Sequence, residues 1–247
     1  MLKVEIVKSL QNNYIFVLTC TQTGKTAVVD PSQALEVEEH LNGKRVDIIL
    51  NTHQHDDHCY GIKELVEKHH CHVYCPVNDI KDGIGAVKYV EDRSLLTGLR
   101  AKDTINIGEV QLEVMEIPGH TMNHIAYFVP SQNLLFSGDT LFASGCGNTF
   151  DGDVEALYNT LNKFKFLPKD TKVFCSHEYT LNNIEFALRE FSQLETLKSR
   201  YENAKVLLAS NIPLVPLHLS EELFTNPFLL APDLEFFKDL RAKKDKF

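Results

Sequence analysis

No apolar run in the sequence is long enough to cross a membrane, because the longest candidate, residues 206–219, is interrupted by one asparagine and two prolines. The first sixteen residues carry Lys3, Glu5 and Lys8 within their apolar pattern, so they lack the continuous apolar core of a signal peptide. We therefore expect a cytoplasmic protein with no membrane partner.

An excess of basic residues is also missing, since 25 lysines and arginines face 34 aspartates and glutamates, for a net charge of -9. This acidic balance argues against a nucleic-acid partner, which favours a basic surface. The six cysteines show no paired spacing, and without an export signal they are expected to be free thiols. A hydrophobic content of 43% over 247 residues suits one large domain, or a main domain with a smaller companion.

What the sequence does contain is a dense cluster of metal-binding residue types, Asn-Thr-His-Gln-His-Asp-Asp-His, at residues 51–58. It follows a strongly apolar run, residues 46–50, that predicts a buried strand. In an extended segment alternate side chains share a face, so His53 and His55 can close on one ion. Asp57 and His58 follow at a turn and can point to a second ion. Imidazole and carboxylate together suit zinc, with iron or manganese as alternatives.

Before His177 the apolar patterns predict short strands with helices among them, and after His177 no further strand pattern is found. Residues 34–41 and 61–70 have helical spacing, and residues 76–100 are predicted to be largely irregular. After residue 177 we predict a long helix over residues 181–208 and shorter ones near Glu221 and over residues 234–243. The sequence thus predicts an α+β protein with domains at residues 1–176 and 177–247.

Three later strands are each predicted to end in a potential ligand. Residues 110–117 lead to His120, residues 134–137 lead to Asp139, and residues 172–175 lead to His177. Loops at one edge of a sheet are where such folds commonly place their chemistry. A glycine precedes both His120 and Asp139 and permits a sharp turn there.

In this order, the motifs resemble the metallo-β-lactamase superfamily over residues 1–176, and across nearly the whole chain they resemble the hydroxyacylglutathione hydrolases. The strings that carry the closer resemblance are Asn13-Tyr14-Ile15, Gly138-Asp139-Thr140-Leu141-Phe142, Gly145-Cys146-Gly147, His177-Glu178-Tyr179-Thr180, Asn226-Pro227-Phe228 and the segment from Arg241 to Asp245. The resemblance implies a four-layer αββα sandwich followed by a C-terminal α-helical domain.

The resemblance also implies which residues bind two divalent metal ions. One ion would be held by His53, His55 and His120, and the other by Asp57, His58 and His177. Asp139 would bridge the pair. Asp57 and Asp139 would be the catalytic carboxylates, acting on the hydroxide that the pair of ions activates.

The reaction implied is hydrolysis of S-D-lactoylglutathione, a thioester, to D-lactate and glutathione. Arg241, Lys244 and Tyr179 would bind the glutathione moiety, a small-molecule partner whose carboxylates suit cations. Two positions depart from the family pattern, because Asn148 and Phe150 stand where a basic residue and a tyrosine are common. Both are expected near the substrate, and the loss of a cation there puts the choice of thiol carrier in doubt.

Two other functions compete with this one. A persulfide dioxygenase-like oxidoreductase with one iron belongs to the same superfamily, but the complete second ligand set, Asp57, His58 and His177, favours the hydrolase. The other alternative is a non-catalytic protein that binds glutathione conjugates, against which the intact ligand set also argues. The expected oligomeric state is a monomer.

Overall fold

Three consecutive antiparallel strands open the chain and form one half of a six-stranded mixed sheet, in the order β1-β2-β3-β4-β5-β6. The structure is a computed structural model that describes residues 1–191 and 195–247. These strands are Leu2–Ser9, Asn13–Cys20, Thr26–Val29, Ile48–Leu50, His72–Pro76 and Leu96–Leu99. The first three pair antiparallel, and β3 to β6 run parallel. Parallel neighbours need crossover connections, and helices α1 (Ala34–Leu41) and α2 (Ile62–His69) supply two of them.

One apolar core lies between these two helices and the first sheet. Val37 and Leu41 of α1 and Ile62 and Leu65 of α2 are buried in a cluster with Val28 and its sheet neighbours. Their three- and four-residue spacing places them on one face of each helix, as the sequence predicted. Burial of each such side chain is worth about 1.5–3 kcal/mol, so this core holds both helices against the sheet.

The next four strands pair antiparallel in a second sheet, in the order β10-β9-β8-β7. Its strands are Thr104–Ile107, Val110–Glu116, Ile125–Val129 and Leu134–Gly138 for β7 to β10. Phe136 of β10 meets Phe16 of β2 at 5.7 Å between ring centroids, and the Tyr127 hydroxyl of β9 donates to the Asn51 carbonyl at 2.8 Å. These contacts join the two sheets face to face and support the backbone after β4.

The chain forms two compact units, residues 1–116 with 123–138, and residues 117–122 with 139–247. The strands and helices described so far, together with α3 (Val77–Asp82), belong to the first. The second unit contains strands Leu141–Phe142, Gly145–Cys146, Lys172–Cys175 and Leu217–His218 (β11 to β14), and helices Val154–Phe164, Thr180–Glu190, Glu195–Ala209, Leu219–Thr225 and Leu234–Lys244 (α4 to α8). The predicted domain boundary after residue 176 stays a prediction.

Most predicted elements are confirmed to within a few residues, and three differences have local causes. Residues 76–100 contain α3 and the edge strand β6, whose short patterns are weak signals in sequence. The helix predicted over residues 181–208 is two helices, α5 and α6, and its residues 192–194 lie outside the described part of the chain. The two-residue strand β14 was missed, because it forms only by pairing with β13. No helix among the described residues is long and apolar enough to span a membrane.

Candidate metal centre and substrate cavity

Residues 51–58, the predicted metal-binding loop, follow directly after β4 ends at Leu50. His53 and His58 are almost completely buried, and residues Asp56–His58 form one turn of 3-10 helix. Two of these loop histidines form a compact group with Asp30, which follows β3: Asp30, His53 and His58 each offer a ligand atom within 4.8 Å of the others. The neighbouring strands β3 and β4 end side by side, so the residues that follow them bring these donors together.

His53 and His55 lie as the alternating pattern predicts. Nε2 of His53 is 3.1 Å from Nδ1 of His55. Two nitrogens bound to one zinc at about 2.0–2.1 Å in tetrahedral geometry stand roughly 3.3 Å apart. The spacing of this pair fits a shared divalent ion.

Asp30 fixes the ring of His58, and it was not recognised in the sequence. Its carboxylate is buried and accepts from the Thr52 amide at 2.8 Å and the Thr52 hydroxyl at 2.6 Å, and it lies 3.1 Å from Nδ1 of His58. A carboxylate accepts hydrogen bonds, so the ring proton sits on Nδ1 and the lone pair is on Nε2, the atom that would bind a metal ion. The only sequence signal was its place at the end of β3.

Replacing Asp30 by asparagine is expected to weaken metal binding by about 10–100-fold, because residues that orient a ligand have effects of this size. Asparagine preserves the side-chain shape and tolerates the left-handed backbone at this position, where φ is 47°. The metal dissociation constant, measured by competition with a chromophoric chelator, checks this. An unchanged constant in a folded Asp30→Asn protein would contradict it.

Asp57 and its neighbour Asp56 have different environments. The Asn13 side-chain amide donates to the Asp57 carboxylate at 3.0 Å and to its main-chain carbonyl at 3.2 Å, which holds Asp57 in place. Asp56 instead accepts from the Tyr89 hydroxyl at 3.0 Å and lies 3.8 Å from the Lys88 ammonium. The negative charge of Asp56, next to the predicted ligand Asp57, is therefore offset by partners at the surface.

The ring of His124 packs against that of His53, a predicted ligand. Its ring stacks on that of His53, with centroids 4.5 Å apart and planes at 13°. Gly138, with φ of 50°, makes room for it, since a Cβ there would lie 2.5 Å from the His124 ring. No motif in the sequence associates His124 with the site, because a lone histidine beside a strand is an ordinary core residue.

The second unit brings three further predicted ligands together. Oδ2 of Asp139 is 3.1 Å from Nε2 of His177 and 3.6 Å from Nε2 of His120, and all three residues are buried. One carboxylate oxygen thus stands between two imidazole nitrogens. The glycine before His120 is required, because Gly119 has φ of 148° and a Cβ there would be 2.4 Å from Leu157 Cα.

The tautomer of His120 is also fixed by its surroundings. Nδ1 of His120 lies 2.9 Å from the main-chain carbonyl of Asn148, which can only accept. The ring proton therefore sits on Nδ1, and Nε2 offers its lone pair on the side of Asp139. The rings of His58 and His120 are therefore both oriented, and each unit also supplies carboxylate oxygens. These nitrogen and oxygen donors suit divalent metal ions.

A cavity of about 240 Å³ adjoins this group within the second unit. Its lining includes four predicted residues, Asn148, Tyr179, Arg241 and Lys244; Phe150 is 75% exposed and is not among the described lining residues. The Tyr179 ring stacks on His177 at 4.9 Å. Cys146 also lines the cavity, but burial raises the pKa of its thiol to about 11, so it is protonated at neutral pH.

Lys244 has an unusually low pKa for a lysine. Burial, followed by the nearby Arg241 cation, lowers the pKa of its ammonium to about 8. The ammonium donates to the side chain of Asn182 and lies 4.9 Å from the Phe247 ring centroid. An anion in the cavity would favour the charged form of Lys244.

Comparison with known proteins first defines the class. The model of the metallo-beta-lactamase superfamily matches residues 8–177. The crystal structure of ETHE1 from Myxococcus xanthus shares the fold, with a TM-score of 0.70 at 20% identity over 98% of this chain and 90% of its own. The chain belongs to the metallo-beta-lactamase superfamily, which confirms the predicted α+β class with a C-terminal helical region.

A narrower family follows from the C-terminal part and from full-length relatives. The model of the hydroxyacylglutathione hydrolase C-terminus matches residues 178–247. The chain is 39% identical to the hydroxyacylglutathione hydrolase of Bdellovibrio bacteriovorus, over 98% of this chain and 97% of the relative, and 36% identical to that of Pelagibacter ubique, over 100% of both. The chain is a member of the hydroxyacylglutathione hydrolases, as the sequence motifs predicted.

Proposed function

We propose that this chain hydrolyses S-D-lactoylglutathione and related S-2-hydroxyacylglutathiones to the 2-hydroxy acid and glutathione. The observation that carries the proposal is the full-length match to hydroxyacylglutathione hydrolases, which includes the C-terminal model characteristic of that family. The described ligand groups and the adjoining cavity support it. A glutathione thioester is accordingly the proposed small-molecule partner.

The proposed cofactor is a pair of divalent ions, zinc first, with iron or manganese as alternatives. One ion would bind His53, His55 and His120, and the other Asp57, His58 and His177, with Asp139 as the bridge. Support comes from each unit separately: the 3.1 Å spacing of His53 and His55, and the Asp139 oxygen 3.1 Å and 3.6 Å from two imidazoles. Nitrogen and carboxylate donors together favour these metals over calcium or magnesium.

When bound, such ions lower the pKa of water and polarise a carbonyl oxygen. The chain's own residues orient the donors, through Asp30 at His58, Asn13 at Asp57 and the Asn148 carbonyl at His120. The leaving group is a thiolate, whose conjugate acid has a pKa of about 8.5, so a protein general acid is not needed to expel it. The protonated Cys146 thiol has no covalent role in this scheme.

The cavity of the second unit is the proposed place of the thiol carrier. Tyr179 beside His177 and Lys244 at the C-terminal helix α8 offer a hydroxyl and a cation to its polar groups. Asn148 also lines this cavity, and its side-chain oxygen accepts a hydrogen bond from the Phe150 amide at 3.3 Å. A substrate contact by Phe150 stays a prediction, as do the monomeric state, the cytoplasmic location and the absence of a nucleic-acid partner.

The decisive experiment follows the loss of thioester absorbance of S-D-lactoylglutathione with purified protein whose metal content has been counted. Hydrolysis with release of stoichiometric free thiol is expected. Oxygen consumption with glutathione persulfide, in the absence of thioester hydrolysis, would replace the proposal by the mononuclear iron oxidoreductase. Tight binding of the thioester without turnover by metal-loaded protein would favour the non-catalytic alternative.

Binding of the thioester is expected to weaken as the pH rises through about 8. The Lys244 ammonium has its pKa lowered to about 8, so it is charged below that pH and loses its proton well before an ordinary lysine. A charge-assisted hydrogen bond is worth about 1.5–3 kcal/mol, so Lys244→Met should raise KM about tenfold or more at pH 7. After correction for spontaneous hydrolysis, KM measured from pH 6.5 to 9.5 checks both effects.

The matched control is Lys238→Met on the same helix, because Lys238 is exposed and pairs with Glu235 at 3.0 Å. It should keep the wild-type KM and its pH dependence. If KM of Lys244→Met rises through pH 8 just as the wild-type KM does, Lys244 is not the titrating group.

A further inference from the structure

Thr52 lies directly before the predicted ligand His53, and hydrogen bonds engage each of its polar groups. The residue is completely buried. Its amide donates to Oδ1 of Asp30 at 2.8 Å, and its hydroxyl donates to Oδ2 of the same carboxylate at 2.6 Å. Its carbonyl accepts from the Ile125 amide at 3.0 Å. Thr52 is therefore held between the end of β3 and the start of β9, and its hydroxyl has a fixed direction.

The Thr52 hydroxyl also meets the ring of His53. Its oxygen lies 3.0 Å from Nδ1 of that ring. A hydroxyl carries one proton and a carboxylate can only accept, so the short contact to Asp30 uses the hydroxyl proton. The hydroxyl oxygen can then only accept from the ring, which places the proton of His53 on Nδ1. The lone pair of the ring is consequently on Nε2.

Nε2 is the His53 atom that faces the other loop ligand proposed for the same ion. It lies 3.1 Å from Nδ1 of His55, a spacing that fits one shared zinc. The opposite tautomer would put a proton on Nε2 and leave no lone pair there for the ion. The ring itself packs against that of His124, with centroids 4.5 Å apart. Packing thus sets the plane of the ring, while Thr52 sets the position of its proton.

The Asp30 carboxylate reaches two ligand rings by different routes. Its Oδ2 lies 3.1 Å from Nδ1 of His58, and the same oxygen accepts from the Thr52 hydroxyl that meets His53. His53 and His58 are the ligands proposed for different ions. One buried carboxylate therefore orients a ligand of each ion, directly at His58 and through the threonine hydroxyl at His53.

We propose that Thr52 is a positioning residue for the ion that His53 and His55 share. Its hydroxyl passes the acceptor character of Asp30 on to His53 and fixes the tautomer whose Nε2 binds the ion. This inference rests on the proposed pair of divalent ions. Residues that orient a metal ligand are worth about 10–100-fold in metal affinity, which sets the size of the effect.

Thr52→Val tests the inference, because valine keeps the branched shape and removes the hydroxyl. One of the two zinc dissociation constants, measured by chelator competition, is expected to rise about 10–100-fold. The other should stay near its wild-type value, since the contact between Asp30 and His58 remains. With one zinc per chain, ¹⁵N NMR should then show the ion on His58 and not on His53. Equal weakening of both ions, or of neither, would overturn the inference.

Two further variants separate the hydroxyl from simple packing. Thr52→Ser keeps the hydroxyl and should bind zinc nearly as well as the wild type; if valine rather than serine retains the affinity, Thr52 acts only by packing. Thr140→Val is the matched control, because Thr140 also adjoins a predicted ligand, but its buried hydroxyl has no hydrogen-bond partner in the described part of the chain. It should keep both zinc constants, and a loss equal to that of Thr52→Val would contradict the relay.

The ring proton can also be located without metal or substrate. About two pH units above the ordinary histidine pKa of about 6.5, ¹⁵N NMR of the metal-free wild type should report the Nδ1–H tautomer of His53, and Thr52→Val should give a mixture of tautomers. A wild-type His53 with its proton on Nε2 would overturn the inference even if no variant folds. Metal-loaded wild type with no thioesterase activity would defeat the proposed hydrolysis, yet these measurements would still decide the role of Thr52.

Discussion

Asp139→Asn is expected to lower kcat/KM for S-D-lactoylglutathione by about a thousandfold or more. One Asp139 oxygen stands between the imidazoles of His120 and His177, at 3.6 Å and 3.1 Å. Asparagine keeps the shape but removes the negative charge that would balance two cations. Metal-ion catalysis is worth several kcal/mol of charge stabilisation, and each 1.36 kcal/mol is tenfold in rate. Steady-state kinetics together with metal counting per chain provide the measurement.

Asp239→Asn serves as the matched control for this change. Its side chain is 64% exposed on α8 and pairs with Lys243 at 2.8 Å, away from the ligand group. It should retain wild-type kinetics and metal content. Activity above a tenth of wild type in Asp139→Asn, with one or both ions still bound, would show that Asp139 does not have the bridging role.

Removing the metal is expected to abolish hydrolysis completely and reversibly. Five of the seven predicted ligands are buried, and contacts of the protein itself, from Asp30, Asn13 and the Asn148 carbonyl, orient three of the seven, so the apoprotein should keep its fold and rebind metal. Dialysis against a chelator, followed by titration with zinc, iron(II) or manganese, should restore activity at two ions per chain. A plateau at one ion per chain would contradict the binuclear proposal.

Two controls sharpen that titration. Calcium should not restore activity, because it takes oxygen ligands and this set is rich in imidazole. Metal binding should also raise the melting temperature, since a ligand that binds the native state at 100 times its dissociation constant adds about 2.7 kcal/mol to the free energy of unfolding. Full thioesterase activity in chelated protein with no detectable metal would defeat the proposed chemistry altogether.

The ligands in each unit have supports that act through different kinds of bond. At His58 the support is the buried Asp30 carboxylate, whereas at His120 it is the main-chain carbonyl of Asn148. A charged acceptor strengthens the basicity of its histidine more than a neutral one. We therefore expect Asp30→Asn to lower metal affinity by removing the charged acceptor at His58.

The candidate ligands themselves could be found from the sequence because their signals are local. His53 and His55 share a face by strand alternation, the glycines before His120 and Asp139 mark sharp turns, and His177 ends an apolar strand. The two helices that pack behind the first sheet were predicted for the same reason, since a three- and four-residue apolar period places one face in the core. The family resemblance extended this to the C-terminal region.

The orientation of the ligands was decided only by the tertiary structure. Asp30 meets His58 across 28 residues, and Asn13 meets Asp57 across 44. No periodicity in the sequence relates residues so far apart, because such contacts arise only when separate strands and helices pack. The sequence by itself thus determined which side chains offer nitrogen and oxygen to a metal ion, while long-range packing determined which ring nitrogen carries the proton.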